Sequence, residues 1–219
     1  AAIEEQLTYP DEELELYGGQ KEYFVRTIED SHPMEHATFR EMMAYSSNVG
    51  IIEVAYRLGR PKMHEYFHSC GFASQTGIDL HGETAALLRP LEEWSNYSLP
   101  CLAIGQEIGT TALQLAIAFS AIANDGLVMK PYLVQKIVSP DGNKVVKRFK
   151  PKAIRRVFSE NTCQTMRSVL TDVVEYGTGS FTKINGLKIA GKTGTPQRFV
   201  RSQQAYTEQD YMTVFGGMF

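Results

Sequence analysis

Leu187-Lys188-Ile189-Ala190-Gly191-Lys192-Thr193-Gly194-Thr195-Pro196-Gln197 is the stretch that decides how this chain is read. An apolar strand, Ile189-Ala190, runs into Lys192-Thr193-Gly194, and Gly194 removes a side chain where another backbone would have to approach. Two hydroxyls and an ammonium leave one strand within four positions, an arrangement suited to gripping a carboxylate by charge and hydrogen bonds. Three such residues recur by chance, and the plainer account is a strand with a polar edge. Far upstream lies Ser46-Ser47-Asn48, whose plainer account is a helix-capping cluster. A serine two positions before an asparagine, on a turn between helices, can instead aim both side chains into one cleft. Each motif strengthens the other.

Size and composition set the frame. The 219 residues are enough for one domain, and a hydrophobic content of 43% is ordinary for a packed core. A net charge of −3 argues against non-specific nucleic-acid binding, which needs a basic surface to displace counterions. The clusters Lys147-Arg148-Phe149-Lys150 and Arg155-Arg156 read as solvated faces. Cys70, Cys101 and Cys163 are too few and scattered for a disulfide framework or a zinc knuckle. No run approaches 18 uncharged apolar residues, and Ala1-Ala2-Ile3-Glu4-Glu5 has no signal-peptide pattern.

Periodicity then orders the chain. Tyr23-Phe24-Val25-Arg26-Thr27-Ile28 reads as a short strand. From Thr38 the spacing of Phe39, Met42 and Met43 predicts a helix that stops at Ser46-Ser47-Asn48, whose side chains compete for backbone hydrogen bonds. A second helix is predicted over Val49 to Leu58 with Gly59 as its C-cap, and a third opens at Pro61 and ends at Gly71. Thr110 to Asn124 is a helix capped by Thr110 or Thr111. Tyr132 to Val138 and Lys144 to Phe149 read as strands joined by the turn Pro140-Asp141-Gly142-Asn143. Ser159 begins a helix reaching Val174. Lys188 to Thr195 and Met212 to Phe219 are two late strands separated by a polar loop rich in Gln and Arg. The order predicts an α/β domain with a helical region in the middle.

Residues 38 to 219 resemble the transpeptidase domain of class B penicillin-binding proteins, most closely the cell-division type. The resemblance rests on Ser46-Ser47-Asn48-Val49-Gly50; Gly71-Phe72 followed by Thr76-Gly77-Ile78-Asp79-Leu80-His81-Gly82-Glu83; Ala103-Ile104-Gly105-Gln106; Leu113-Gln114-Leu115-Ala116 running into Ile122-Ala123-Asn124-Asp125-Gly126; Gly177-Thr178-Gly179; and Ala190-Gly191-Lys192-Thr193-Gly194-Thr195. Their order matches throughout. The implied fold is α/β (α+β) of the penicillin-binding transpeptidase and serine β-lactamase type, an antiparallel sheet flanked by helices with a helical subregion.

Two departures stand out. The family's Ser-x-x-Lys should precede Ser46 by several dozen residues, more than this chain has. The Ser-x-x-Lys that is present, Ser180-Phe181-Thr182-Lys183, falls in the wrong order, in a segment too short for a core helix, and is a decoy. The expectation is therefore a partial transpeptidase domain over 1–219, with the nucleophile segment and a final strand and helix outside it, unstable and inactive alone. Pro196 stands where the family more often has alanine; it forfeits a donor and predicts an edge or bulge.

A rival motif is His64-Glu65-Tyr66-Phe67-His68, the H-E-x-x-H of zinc proteases. Its next ligand position is Ser74, and two protein ligands leave a zinc site incomplete. The competing account is an exposed helix face with Met63 and Phe67 turned inward, so no metal is expected.

The resemblance implies a D,D-transpeptidase that cross-links peptidoglycan stem peptides through a serine acyl-enzyme, and no cofactor. By their matches, Ser46 relays a proton, Asn48 holds the substrate amide, and Lys192 keeps the site positive. Thr193, Gly194 and Thr195 form the substrate-binding ribbon: the two hydroxyls grip the terminal carboxylate and the Thr195 N–H supplies half an oxyanion hole. Implied partners are the D-Ala-D-Ala end of the stem peptide, β-lactam antibiotics and other wall-synthesis or division proteins, at the extracytoplasmic face of the bacterial inner membrane. The alternative is a non-catalytic sensor that keeps the cleft; a zinc protease is the remote one.

Overall fold

Local signals at the helix starts are where the fold becomes determinate. The computed structural model describes residues 1–24, 26–195, 197–200 and 205–219, without side-chain detail for 196–211. An amino-terminal ribbon pairs β1 (Glu13–Glu15) with β4 (His36–Thr38), and between them β2 (Gln20–Tyr23) and β3 (Arg26–Glu29) form a hairpin. The sequence reading had one strand across Tyr23 to Ile28. Phe24 turns the chain instead with φ of +59°, and Val25 lies outside the described residues.

The helices follow their caps. Thr38 opens α1 (Phe39–Tyr45) with a reciprocal capping box, its hydroxyl accepting from the Glu41 amide while Glu41 reaches back to the Thr38 N–H. Ser46 ends α1 in the left-handed conformation (φ 61°, ψ 45°), and Ser47 caps α2 (Asn48–Leu58) through the Gly50 N–H. Next come α3 (Arg60–Ser69), with proline in its first turn, and the short α4 (Ser98–Ala103), which the sequence reading missed. Ala55, Met63, Trp94, Leu99 and Leu102 bury together, so α2 to α4 make the helical subregion. Within it the Glu83 carboxylate accepts from the Thr76 and Gly77 amides (2.7 and 3.0 Å), closing the Thr76-to-Glu83 loop.

Thr111 caps α5 (Ala112–Ala123) with a second capping box, whose Gln114 is fully buried and also donates to the Ser74 and Ala85 carbonyls. β5 (Leu127–Met129), β6 (Lys136–Val138), β7 (Val145–Arg148) and β8 (Ala153–Arg156) follow, with β6 on β7 as the turn chemistry predicts and β5 on β8, a pairing not foreseen. Arg155 and Arg156 are less free than a solvated face implies: they donate to the carbonyls of Ser69 and Asp125. Ser159 caps α6 (Glu160–Glu175).

The last elements are β9 (Ala190–Gly194), β10 (Gln197–Val200), β11 (Ala205–Tyr211) and β12 (Val214–Met218). β10 and β11 pair as a hairpin where a polar loop was expected, and Pro196 lies outside the described residues. β9 and β12 run antiparallel with Lys192 opposite Gly216 and Thr193 opposite Phe215. Every described strand pair is antiparallel, and the described ladders are each two-stranded rather than one continuous sheet.

Two apolar clusters flank α6. Leu14, Leu16, Ala37, Phe39, Met42, Val54 and Val169 fill one; Leu170, Val173 and Ala190 fill the other, with Phe119 and Ile122 of α5 packed on it. Met43 and Met166 touch both. Among the described residues no helix is long and apolar enough to cross a membrane.

Candidate active site

The turn between α1 and α2 and the ribbon β9 meet. Lys192 Nζ donates to Ser46 Oγ at 2.7 Å, joining residues 146 positions apart. The same ammonium reaches the Thr193 carbonyl at 3.2 Å. Burial of the lysine lowers its pKa from the ordinary 10.5 to about 8. Among the described residues no carboxylate pairs with it, and desolvation is the cause of its shift.

Three further contacts hold this junction. The Gly177-Thr178-Gly179 loop leaves the end of α6 and lies under the turn: the Thr178 N–H donates to the Ala44 carbonyl at 3.0 Å. A Cβ on Gly177 would sit 2.3 Å from that same oxygen, so glycine is required there. Thr178 Oγ1 and Thr193 Oγ1 share one hydrogen bond at 2.8 Å, tying the loop to the ribbon. On the other side, Asn48 Nδ2 donates to the Glu29 carbonyl at 3.0 Å, which leaves Oδ1 as that amide's acceptor.

Ser46, Lys192 and Thr193 therefore come together, with Asn48 two positions on at the start of α2, its amide turned to Glu29, and Gly194 continuing the strand. Thr195 is exposed, one position beyond β9. The sequence reading left out Asp30 and Thr178. Thr178 sat in a quoted motif without a role. For Asp30 the available signal was indirect: the first amides of α2 need acceptors that Ser47 alone cannot provide.

The competing motifs resolve differently. Ser180–Thr182 is a single 3-10 turn, Phe181 is 77% exposed, and Lys183 pairs with Glu175 at 3.1 Å, away from Lys192. His64 and His68 stand 3.3 Å apart through their Nε2 atoms, but Glu65 pairs with Lys62, and no group of three possible metal ligands occurs among the described residues. Met63 is buried and Phe67 packs beside it.

Chemically, the groove offers a half-buried ammonium, a hydroxyl in contact with it, two threonine hydroxyls and an open strand edge. That set can bind an extended peptide by its carboxylate and pass a proton through Ser46, but it contains no activated nucleophile of its own. Known proteins share this fold. The chain is 35% identical over its whole length to the penicillin-binding protein PbpB of Mycolicibacterium smegmatis, of which it covers 35%. It is 28% identical, over 87% of its length, to the probable peptidoglycan D,D-transpeptidase PenA of Neisseria meningitidis, covering 30% of that protein. The crystal structure of penicillin binding protein 3 from Mycobacterium tuberculosis complexed with ampicillin superposes with a TM-score of 0.92 at 33% identity, over all of this chain and 50% of that one. The chain thus spans about a third of the length of the curated relatives it matches. The family model described as the penicillin binding protein transpeptidase domain matches residues 1–219, and the chain belongs to that family.

Proposed function

We propose that this chain forms the substrate-gripping and proton-relaying part of a peptidoglycan D,D-transpeptidase, the reading best carried by the 2.7 Å contact between Lys192 and Ser46. The attacking serine and its lysine base come from a Ser-x-x-Lys element that is not among these 219 residues. In that reaction the serine oxygen bonds to the carbonyl carbon of the penultimate D-Ala, and the C–N bond to the terminal D-Ala breaks. Ser46 Oγ delivers a proton to the departing amine. A neighbouring stem's amine then displaces the serine and restores its hydroxyl.

Each remaining residue acts before or beside that step. Lys192, cationic at neutral pH, attracts the terminal carboxylate and repels a second proton from the lysine base, favouring its neutral form. Thr193 and Thr195 donate hydroxyl hydrogens to the carboxylate, and the Thr195 N–H faces the developing oxyanion. Gly194 keeps the ribbon clear for the peptide backbone, which adds along the open edge of β9. Asn48 Oδ1 accepts from the substrate amide. β-Lactams enter by the same route because their carboxylate and strained amide imitate the D-Ala-D-Ala end. The site belongs at the extracytoplasmic face of the membrane, where peptidoglycan and other division proteins meet it.

Labelling the full-length polypeptide with a fluorescent penicillin tests this. A covalent adduct that survives denaturation is expected. A natively folded sample that takes no label favours the sensor alternative and overturns the transferase reading.

A further inference from the structure

Asp30 is 7% exposed, directly after β3, and nothing in the chemistry above uses it. Its carboxylate accepts three hydrogen bonds from the turn that carries Ser46. Oδ2 takes the Ser47 hydroxyl at 2.5 Å, and Oδ1 takes the Asn48 and Val49 amides at 2.6 and 3.0 Å. Ser47 Oγ meanwhile accepts from the Gly50 amide at 2.9 Å, so its single proton is committed to Asp30. The neighbouring Glu29 carbonyl holds the Asn48 side chain.

A helix start leaves its first four amides without intrahelical acceptors, and one capping side chain takes one of them, with solvent ordinarily serving the rest. Here Ser47 is already that cap, yet a buried carboxylate from another segment takes two more amides, at the positive end of the helix dipole. The added restraint falls on the three residues that follow Ser46. Ser46 itself is held left-handed at φ 61°, a conformation that a serine on a free turn leaves readily. In that conformation its Oγ lies against Lys192.

We propose that Asp30 is the positioning residue of this site: by locking Ser47 and the first turn of α2, it keeps Ser46 left-handed with its hydroxyl on Lys192. The inference rests on the acyl-transfer reading. Asp30 touches neither substrate nor reacting atoms, so it acts through Ser46.

The test is single-turnover labelling of the full-length polypeptide with fluorescent penicillin, which reports the acylation rate and the labelled fraction separately. Asp30→Ala is expected to slow acylation about tenfold or more with the labelled fraction unchanged. In a Ser46→Ala background the same substitution should add less than about twofold, because the two residues share one effect. A wild-type rate in Asp30→Ala, a smaller labelled fraction at an unchanged rate, or an equal cost in both backgrounds overturns the proposal. If Asp30→Ala does not fold, Asp30→Asn carries the test. It keeps an acceptor for both amides but turns an N–H toward Ser47, and about threefold slower labelling that vanishes in Ser46→Ala is expected; a wild-type rate overturns the proposal. A wild type that takes no label removes the acyl-transfer reading and this inference with it, whereas a labelled wild type with insensitive variants removes the inference alone.

Discussion

Burial brings the titration of Lys192 close to neutral pH. Its pKa of about 8 means the ammonium is intact at pH 7 and lost as pH rises through 8. Pre-acylation affinity for a carboxylate-bearing penicillin should therefore fall between pH 7 and 9, and stay level in Lys192→Arg, which remains cationic. The same burial acts on stability with a definite sign. Between about 8 and the ordinary 10.5 the unfolded chain holds a proton that the folded one has released, so stability rises with pH there. The difference in unfolding free energy between wild type and Lys192→Met should show that rise; a flat difference sinks the assignment. For Ser46→Ala, loss of a proton relay predicts about a hundredfold slower acylation. The sequence exposed Ser46 and Lys192 because both lie in short motifs. It hid Asp30 because a buried carboxylate that caps someone else's helix has no local pattern.

At the level of elements, what could be read was whatever carries its own punctuation. α1, α2, α5 and α6 start at Thr38, Ser47, Thr111 and Ser159, each with a hydroxyl accepting from its own first turn, and the predicted boundaries follow. Strands fared worse where pairing is remote. β8 has no buried position, so no apolar alternation marks it as the partner of β5. The β10–β11 hairpin mixes polar and apolar residues without a sustained apolar run and read as loop. Glycines mark two joints between elements. Gly126, with φ of +89°, turns α5 into β5, and a Cβ there would lie 1.8 Å from the Phe158 carbonyl oxygen. Gly126→Ala and Gly177→Ala should each lower stability by about 1–3 kcal/mol in denaturant titrations of the full-length polypeptide; losses under a few tenths contradict the packing. If substrate adds to β9, hydrogen exchange at Gly191–Gly194 should slow on penicillin binding, and unchanged exchange argues for another binding edge.

For the molecule as a whole, the order of motifs was legible and their meeting was not. Nothing in the spacing of Ser46 and Lys192 says that one hydroxyl touches one ammonium; that follows from how the two clusters share α6. Arg40 of α1 helps, pairing with Asp172 of α6 at 2.5 Å and with Asp11 at 3.5 Å. Because those partners remain partly solvated, Arg40→Ala should cost only about 1 kcal/mol, measured as a shift in denaturant midpoint. The larger lever is α6 itself. Val169 faces the cluster under the serine turn, while Leu170 and Val173 face the cluster under the lysine ribbon. Rotating or sliding that one helix would move the two banks of the groove relative to each other. Drug susceptibility could then drift through substitutions in the interior, with every atom that meets the antibiotic still in its original chemical form.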